Sequence, residues 1–229
     1  MSGFPNKPKI LRGAFVEYGL SIPPLFVVFQ FNPEQLTRNR GLTYAPPSYA
    51  QTSRRGGSLR DFHKRHDLND IQALQDVTVQ EEVIGFEIRF DASDKLDESD
   101  AITEQFGIAP QLSTLELMVH PKEESLLGQA LGSLLGSSGG FSFTRKPNPP
   151  LILFIWGRKR VLPVNINSLN ITEILYSTDL NPIRATAAMN LTVIEGGDMP
   201  YQYTKIMKKV MSVLNLANIT DVANVIVPG

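Results

Sequence analysis

The chain has 229 residues, 42% hydrophobic and 20% charged, enough to bury a sizeable core in one large domain or two small ones. Lys and Arg number 22 against 23 Asp and Glu, and the net charge of −1 argues against a chain-wide nucleic-acid footprint. With no cysteine, disulfides, thiol nucleophiles and Cys-ligated metal sites are excluded; the three histidines (His63, His66 and His120) leave little for a His-based centre.

The opening residues 1–10 carry Pro and Lys without an apolar stretch, unlike a secretory leader. Residues 25–31 are aromatic and β-branched and stop at Asn32-Pro33, which predicts a strand, with a second, polar strand over 36–44. Residues 45–76 show no period and are rich in Pro, Ser, Gly and Arg, which predicts a long loop. The clearest alternation runs over 78–92: Ile84, Phe86, Ile88 and Phe90 share one face, Glu87 and Arg89 the other, as in a half-buried strand. An acidic stretch follows (Asp91, Asp94, Asp97, Glu98, Asp100, Glu104), placed to open a short helix. Ser113 and Glu116 match a capping box for a second helix that Pro121 ends.

Over 125–140, leucines keep helical spacing while Gly128, Gly132 and Gly136 recur every fourth residue, which reads as an apolar insertion within 122–148. Residues 151–156 form the longest apolar run, a strand far short of the roughly 20 residues of a membrane helix. The stretches 161–166 and 171–176 are two strands or one long bent one, and 179–182 is a turn. Residues 183–195 alternate again, with Ile183, Ala185, Ala187, Met189, Leu191 and Val193 on one face. Tyr203, Ile206, Met207, Val210, Met211 and Leu214 then mark the apolar face of an amphipathic helix whose wet side carries Lys205, Lys208 and Lys209.

The order of elements predicts a mainly β, α+β chain: an antiparallel barrel or sandwich with short helices, a long loop and a C-terminal amphipathic helix. The predicted core contains Phe29, Phe31, Ile84, Phe86, Ile88, Phe90, Phe154, Met189 and Leu191. Residues 1–200 form the barrel domain and 201–229 a helical extension.

Catalytic signatures are missing. There is no nucleophile elbow, P-loop or dinucleotide fingerprint, and Ser137-Ser138-Gly139-Gly140 lacks the strand that would present a nucleophile. His63 and His66 sit among cations that disfavour a metal, and the acidic stretch lacks calcium-loop spacing. No catalytic residue, metal or cofactor is expected. Arg54, Arg55, Arg60, Lys64 and Arg65 give the loop a local balance of +4 against Asp61. Acids Asp94, Asp97, Glu98 and Asp100 lie elsewhere. Opposite patches on a near-neutral chain favour self-association over nucleic-acid binding.

Four stretches, in order, resemble landmarks of one family. Residues 29–36 followed by Arg38 resemble the opening strand of the contractile injection system tube proteins, and 86–92 their second landmark. Residues 149–157 resemble the P-P-x-L-x-F-x-W-G strand, and Asn181 to Ala185 with 191–193 the final P-x-R-A strand. The resemblance covers roughly residues 22–195. It implies a tail-tube-type β-barrel, as in phage tail tubes and the haemolysin-coregulated proteins of type VI secretion, assembled as a homohexameric ring. Baseplate members join the spike to the inner tube and often carry a LysM module, for which the 34 residues after Glu195 (229 − 195) are too few.

The long loop and the insertion favour a baseplate hub ring over an ordinary inner-tube subunit, with a peptidoglycan- or nucleic-acid-binding module as the alternative of a different class. Expected partners are further copies, the spike and the tube proteins, without membrane insertion. The expected place is a phage-tail-like particle assembled in the cytoplasm, its lumen lined by the wet face of 78–92.

Overall fold

The computed structural model describes residues 11–19, 24–47, 58–121 and 148–215. Its strands are β1 (Ala14–Glu17), β2 (Phe26–Val28), β3 (Leu36–Asn39), β4 (Leu42–Ala45), β5 (Asp76–Val79), β6 (Val83–Asp91), β7 (Ile152–Ile155), β8 (Val161–Tyr176) and β9 (Pro182–Val193). The helices are α1 (Leu59–Arg65), α2 (Leu68–Leu74), α3 (Ser93–Asp97), α4 (Ala101–Phe106), α5 (Ala109–Val119) and α6 (Met199–Leu214). Seven strands form one antiparallel sheet in the order β2-β1-β7-β8-β9-β6-β3, while β4 and β5 pair only with each other. The fold is mainly antiparallel β with added helices, an α+β architecture.

The sheet rolls up without closing into a barrel. Its two edge strands, β2 and β3, are joined by residues 29–35 alone, a reach of at most about 25 Å. The edges must therefore approach each other. Across the interior, Phe86 of β6 stacks on Phe154 of β7 with ring centroids 5.3 Å apart and meets Phe15 of β1 at 6.1 Å. Phe29, just past β2, lies 5.9 Å from Phe86. Instead of a backbone ladder, a side chain bridges the seam: Gln30 Nε2 donates to the Asp91 carbonyl (2.6 Å) and Gln30 Oε1 accepts from the Asp91 N–H (2.8 Å).

Alternation decides what is buried. Ile84, Phe86, Ile88 and Phe90 face inward from β6, and Ala185, Ala187, Met189, Leu191 and Val193 from β9, with Phe29 and Phe154 beside them. Glu87 and Arg89 face out. Phe31 departs from the expected core and is 47% exposed, because it lies beyond β2 in the turn that crosses the seam. The stretches 161–166 and 171–176 are one strand, β8, which follows β9 through irregularities between Ile166 and Ser168 and again between Glu173 and Tyr176.

Several other expectations are corrected. The polar strand over 36–44 divides between the large sheet (β3) and the ribbon (β4). Residues 58–76 of the expected loop hold α1 and α2, capped by Ser58 and Asp67, whose side chains accept from the N–H groups of Asp61 and Asp70. Ser113 does not cap a helix. It lies inside α5, which starts at Ala109 with Pro110 in its first turn and buries Leu112, Leu115 and Met118. At Gly107 (φ 58°) a side chain would strike the Pro182 carbonyl, and the Ile108 N–H donates to that same oxygen at 2.8 Å. The insertion at 125–140 lies outside the described residues.

Helix α6 packs against β8 with most of its apolar stripe left exposed and only Met207 of the stripe half-buried. The buried residue is Thr204, whose hydroxyl accepts from the Val161 N–H (2.9 Å) and donates to the Val161 carbonyl (2.7 Å). Tyr203, Ile206, Val210 and Leu214 stay exposed.

Candidate functional site

An open groove of about 1410 Å³ runs along the outer face of β6, β9 and β8, under the turn at residues 31–35. Period-two strands put Glu87, Arg89 and Asp91 of β6 on this face beside Arg184, Thr186, Ala188 and Asn190 of β9, with Ser168 and Asn170 of β8 further along. Its charges compensate one another. Arg89 donates to Glu34 (3.0 Å) and lies 3.8 Å from Glu87, while Arg184 donates to Asp91 (2.8 Å). Burial alone would raise the Asp91 carboxyl; hydrogen bonds from Ser93 and Arg184 outweigh it and hold the group below the usual carboxylate range. Asn190 Nδ2 donates to the Ser168 hydroxyl (3.1 Å). Amides, hydroxyls and paired charges share this trough with the exposed side chains of Phe31 and Ile174, and among the described residues no His, Cys or Lys lines it.

A second cluster ties α6 to β3 and the start of β6. Glu82, almost wholly buried, accepts from Arg38, from Arg40 (3.3 Å) and from Lys208 of α6 (2.9 Å); Arg40 also pairs with Glu195. Burial pushes the Glu82 carboxyl up, but the bonds from Lys208 and Arg38 win and its pKa is lowered. Nearby Arg160 has a lowered pKa, from burial and then from the Arg38 charge. Local spacing hides this cluster: its members, at 38, 40, 82, 195 and 208, meet only once the strands pair.

The expected assembly residues divide. Arg60, Lys64 and Arg65 are exposed on α1, while Arg54 and Arg55 lie outside the described residues. His63 and His66 belong to this helical unit: His63 Nε2 lies 2.7 Å from Gln75 Oε1, and His66 donates to the Phe62 carbonyl at 2.9 Å while its ring rests 4.4 Å from that of Phe62. Asp94, Asp97 and Glu98 are exposed. Asp100, by contrast, caps α4 by accepting from the Thr103 N–H (3.1 Å) and hydroxyl, bonds that lower its pKa. Two of the six acids, Asp91 and Asp100, are thus engaged locally, which weakens the patch as a partner for distant cations.

Three apolar exposures complete the picture. Edge strand β2 shows Phe26 and Val28; the β4–β5 ribbon shows Leu42, Tyr44, Val77 and Val79; α6 shows its stripe. Beside β2 lies a cavity of about 280 Å³ whose lining includes Arg12, Lys95 and Gln111. Gln111 Oε1 is buried and accepts no hydrogen bond among the described residues. Among the described residues, no three His, Asp or Glu side chains gather as metal ligands, and no helix is long and apolar enough to cross a membrane. No protein-family model matches the chain, and no curated protein sequence matches it significantly.

Proposed function

We propose that this chain is a structural ring subunit of a contractile, phage-tail-like injection particle, joining the spike to the inner tube in the baseplate. The observation carrying the reading is a rolled sheet whose β2 edge is unpaired among the described residues, with a ribbon, β4–β5, that buries none of its residues, on the same chain. Unpaired strand edges and one-sided apolar ribbons invite association, and two different surfaces on one chain suit a head-to-tail ring. Three of the four stretches that resemble the tube-protein family lie on strands of the seven-stranded sheet, β6, β7 and β9, while the first forms the crossing from β2 into β3. The resemblance supplies the tube-type barrel, completed between copies, and the number six; neighbouring subunits are further copies, spike and tube proteins.

The role is mechanical. The groove over β6, β9 and β8 has the character of a lumen lining, since hydroxyls, amides and self-paired charges offer a passing polymer no large field of one sign. Quantifying this chain against the spike in purified particles tests the position. A single ring's worth of copies supports the hub, many copies per spike indicate an inner-tube subunit, and absence from such particles refutes both.

A further inference from the structure

Two features of the chain lack a partner among the described residues, and each has what the other needs. Strand β2 pairs only with β1. The N–H of Phe29 and the carbonyl of Leu25, flanking it, bond back toward β1 at 2.8 Å, so by alternation the N–H and carbonyl groups of Phe26 and Val28 point outward. Both side chains are more than half exposed. The neighbouring cavity holds the Gln111 oxygen without a donor, a costly arrangement unless something fills the site.

The second feature is the ribbon. Leu42 lies opposite Val79 and Tyr44 opposite Val77, so all four share one face, and none is buried. Two strands alone are marginally stable in water, and a ribbon that buries none of its own residues is incomplete. Among the described residues no further strand pairs with either of its outer edges. Acidic Asp76 opens β5 and Glu81 follows it, whereas the cavity beside β2 is lined by basic Arg12 and Lys95 and by one acid, Asp91, whose charge is already paired with Arg184.

We propose that β5 of one copy adds to β2 of a second copy, so that the ribbon continues the neighbour's seven-stranded sheet. Backbone groups of Phe26 and Val28 take up the ladder, Val77 and Val79 pack beside their side chains, and the incoming segment supplies a donor to Gln111. The contact is head-to-tail and uses different surfaces on the two copies. It rests on the self-association reading and names its edges.

The cysteine-free chain allows a clean test. Chains carrying Phe26→Cys or Val28→Cys are mixed, under oxidation, with size-tagged chains carrying Val77→Cys or Val79→Cys. Directly opposed strand residues lie within disulfide reach. At least one mixed pair should cross-link about tenfold above the Glu87→Cys with Val77→Cys control, and Gln111→Leu should raise the concentration needed for association several-fold. Background cross-linking in every pair, with oligomers still seen by light scattering, overturns the edge assignment and leaves self-association standing. A doubly substituted chain that closes on itself at every dilution also overturns it, by placing the ribbon on its own β2. A protein that stays monomeric at high concentration and in particles removes both readings.

Discussion

Strand β6 and the β4–β5 ribbon begin from the same kind of sequence and end in opposite environments. Both alternate, both are rich in β-branched and aromatic residues, and both pair antiparallel. Yet the inward face of β6 is buried under Phe15, Phe29 and Phe154, while Leu42, Tyr44, Val77 and Val79 remain about half exposed. Period two reports a pleat with one apolar face. It does not report whether this chain or another covers that face.

The sharpest break of the comparison is a pair of truncations. Phe86→Ala opens a cavity among the rings of Phe15, Phe29 and Phe154 and should lower stability by about 3–5 kcal/mol. Tyr44→Ala, on the ribbon, should cost the isolated chain well under ~1 kcal/mol. Urea midpoints measure both, and equal losses would mean that the ribbon is already buried.

Next in size is Glu82→Gln. Losing one partner of a buried ion pair costs about 3–5 kcal/mol, and the partly exposed Arg38, Arg40 and Lys208 reduce that to ~2–3. The pH dependence has a definite sign. The folded Glu82 pKa lies below its unfolded value, so its stabilisation is complete above the ordinary glutamate range near about pH 4.3. It is lost as pH falls through the lower folded value. Wild type and Glu82→Gln should therefore converge in chemical stability under acid and diverge at neutral pH. A constant gap would exclude the carboxylate's role.

Smaller again is Gln30→Ala, which removes both bonds across the seam and should cost about 1–2 kcal/mol. Hydrogen exchange should quicken at the Asp91 amide, while amides in the β6–β9 ladder keep their protection. Glu87→Ala, on the wet face, should change the denaturation midpoint by less than ~0.5 kcal/mol.

Much of the large sheet was legible because its strands bury one face: β6 and β9 from alternation, β7 from its apolar run. Other parts were hidden for physical reasons. Helices α1 and α2 have seven residues each, too few to establish a period, and their capping pairs Ser58–Asp61 and Asp67–Asp70 were the available signal. The Ser113–Glu116 capping pattern misled because Pro110 starts α5 earlier. In α6 the periodicity marks the helix but not its anchors, since Thr204 and Lys208 tie it down through hydrogen bonds while most of the stripe stays exposed. Gln30 and Glu82 act only across large sequence separations, which no local pattern records. Nor does sequence pattern distinguish the groove's paired charges from free ones, because Glu34 meets Arg89, and Asp91 meets Arg184, only across the folded sheet.

The most direct measurement of the assembly role is an image reconstruction of purified particles containing this chain. The account predicts a single ring of six copies between spike and tube, with each ribbon lying against the neighbouring copy. Finding the chain repeated along the tube would move it out of the baseplate, and finding it in no ring at all would contradict the central claim.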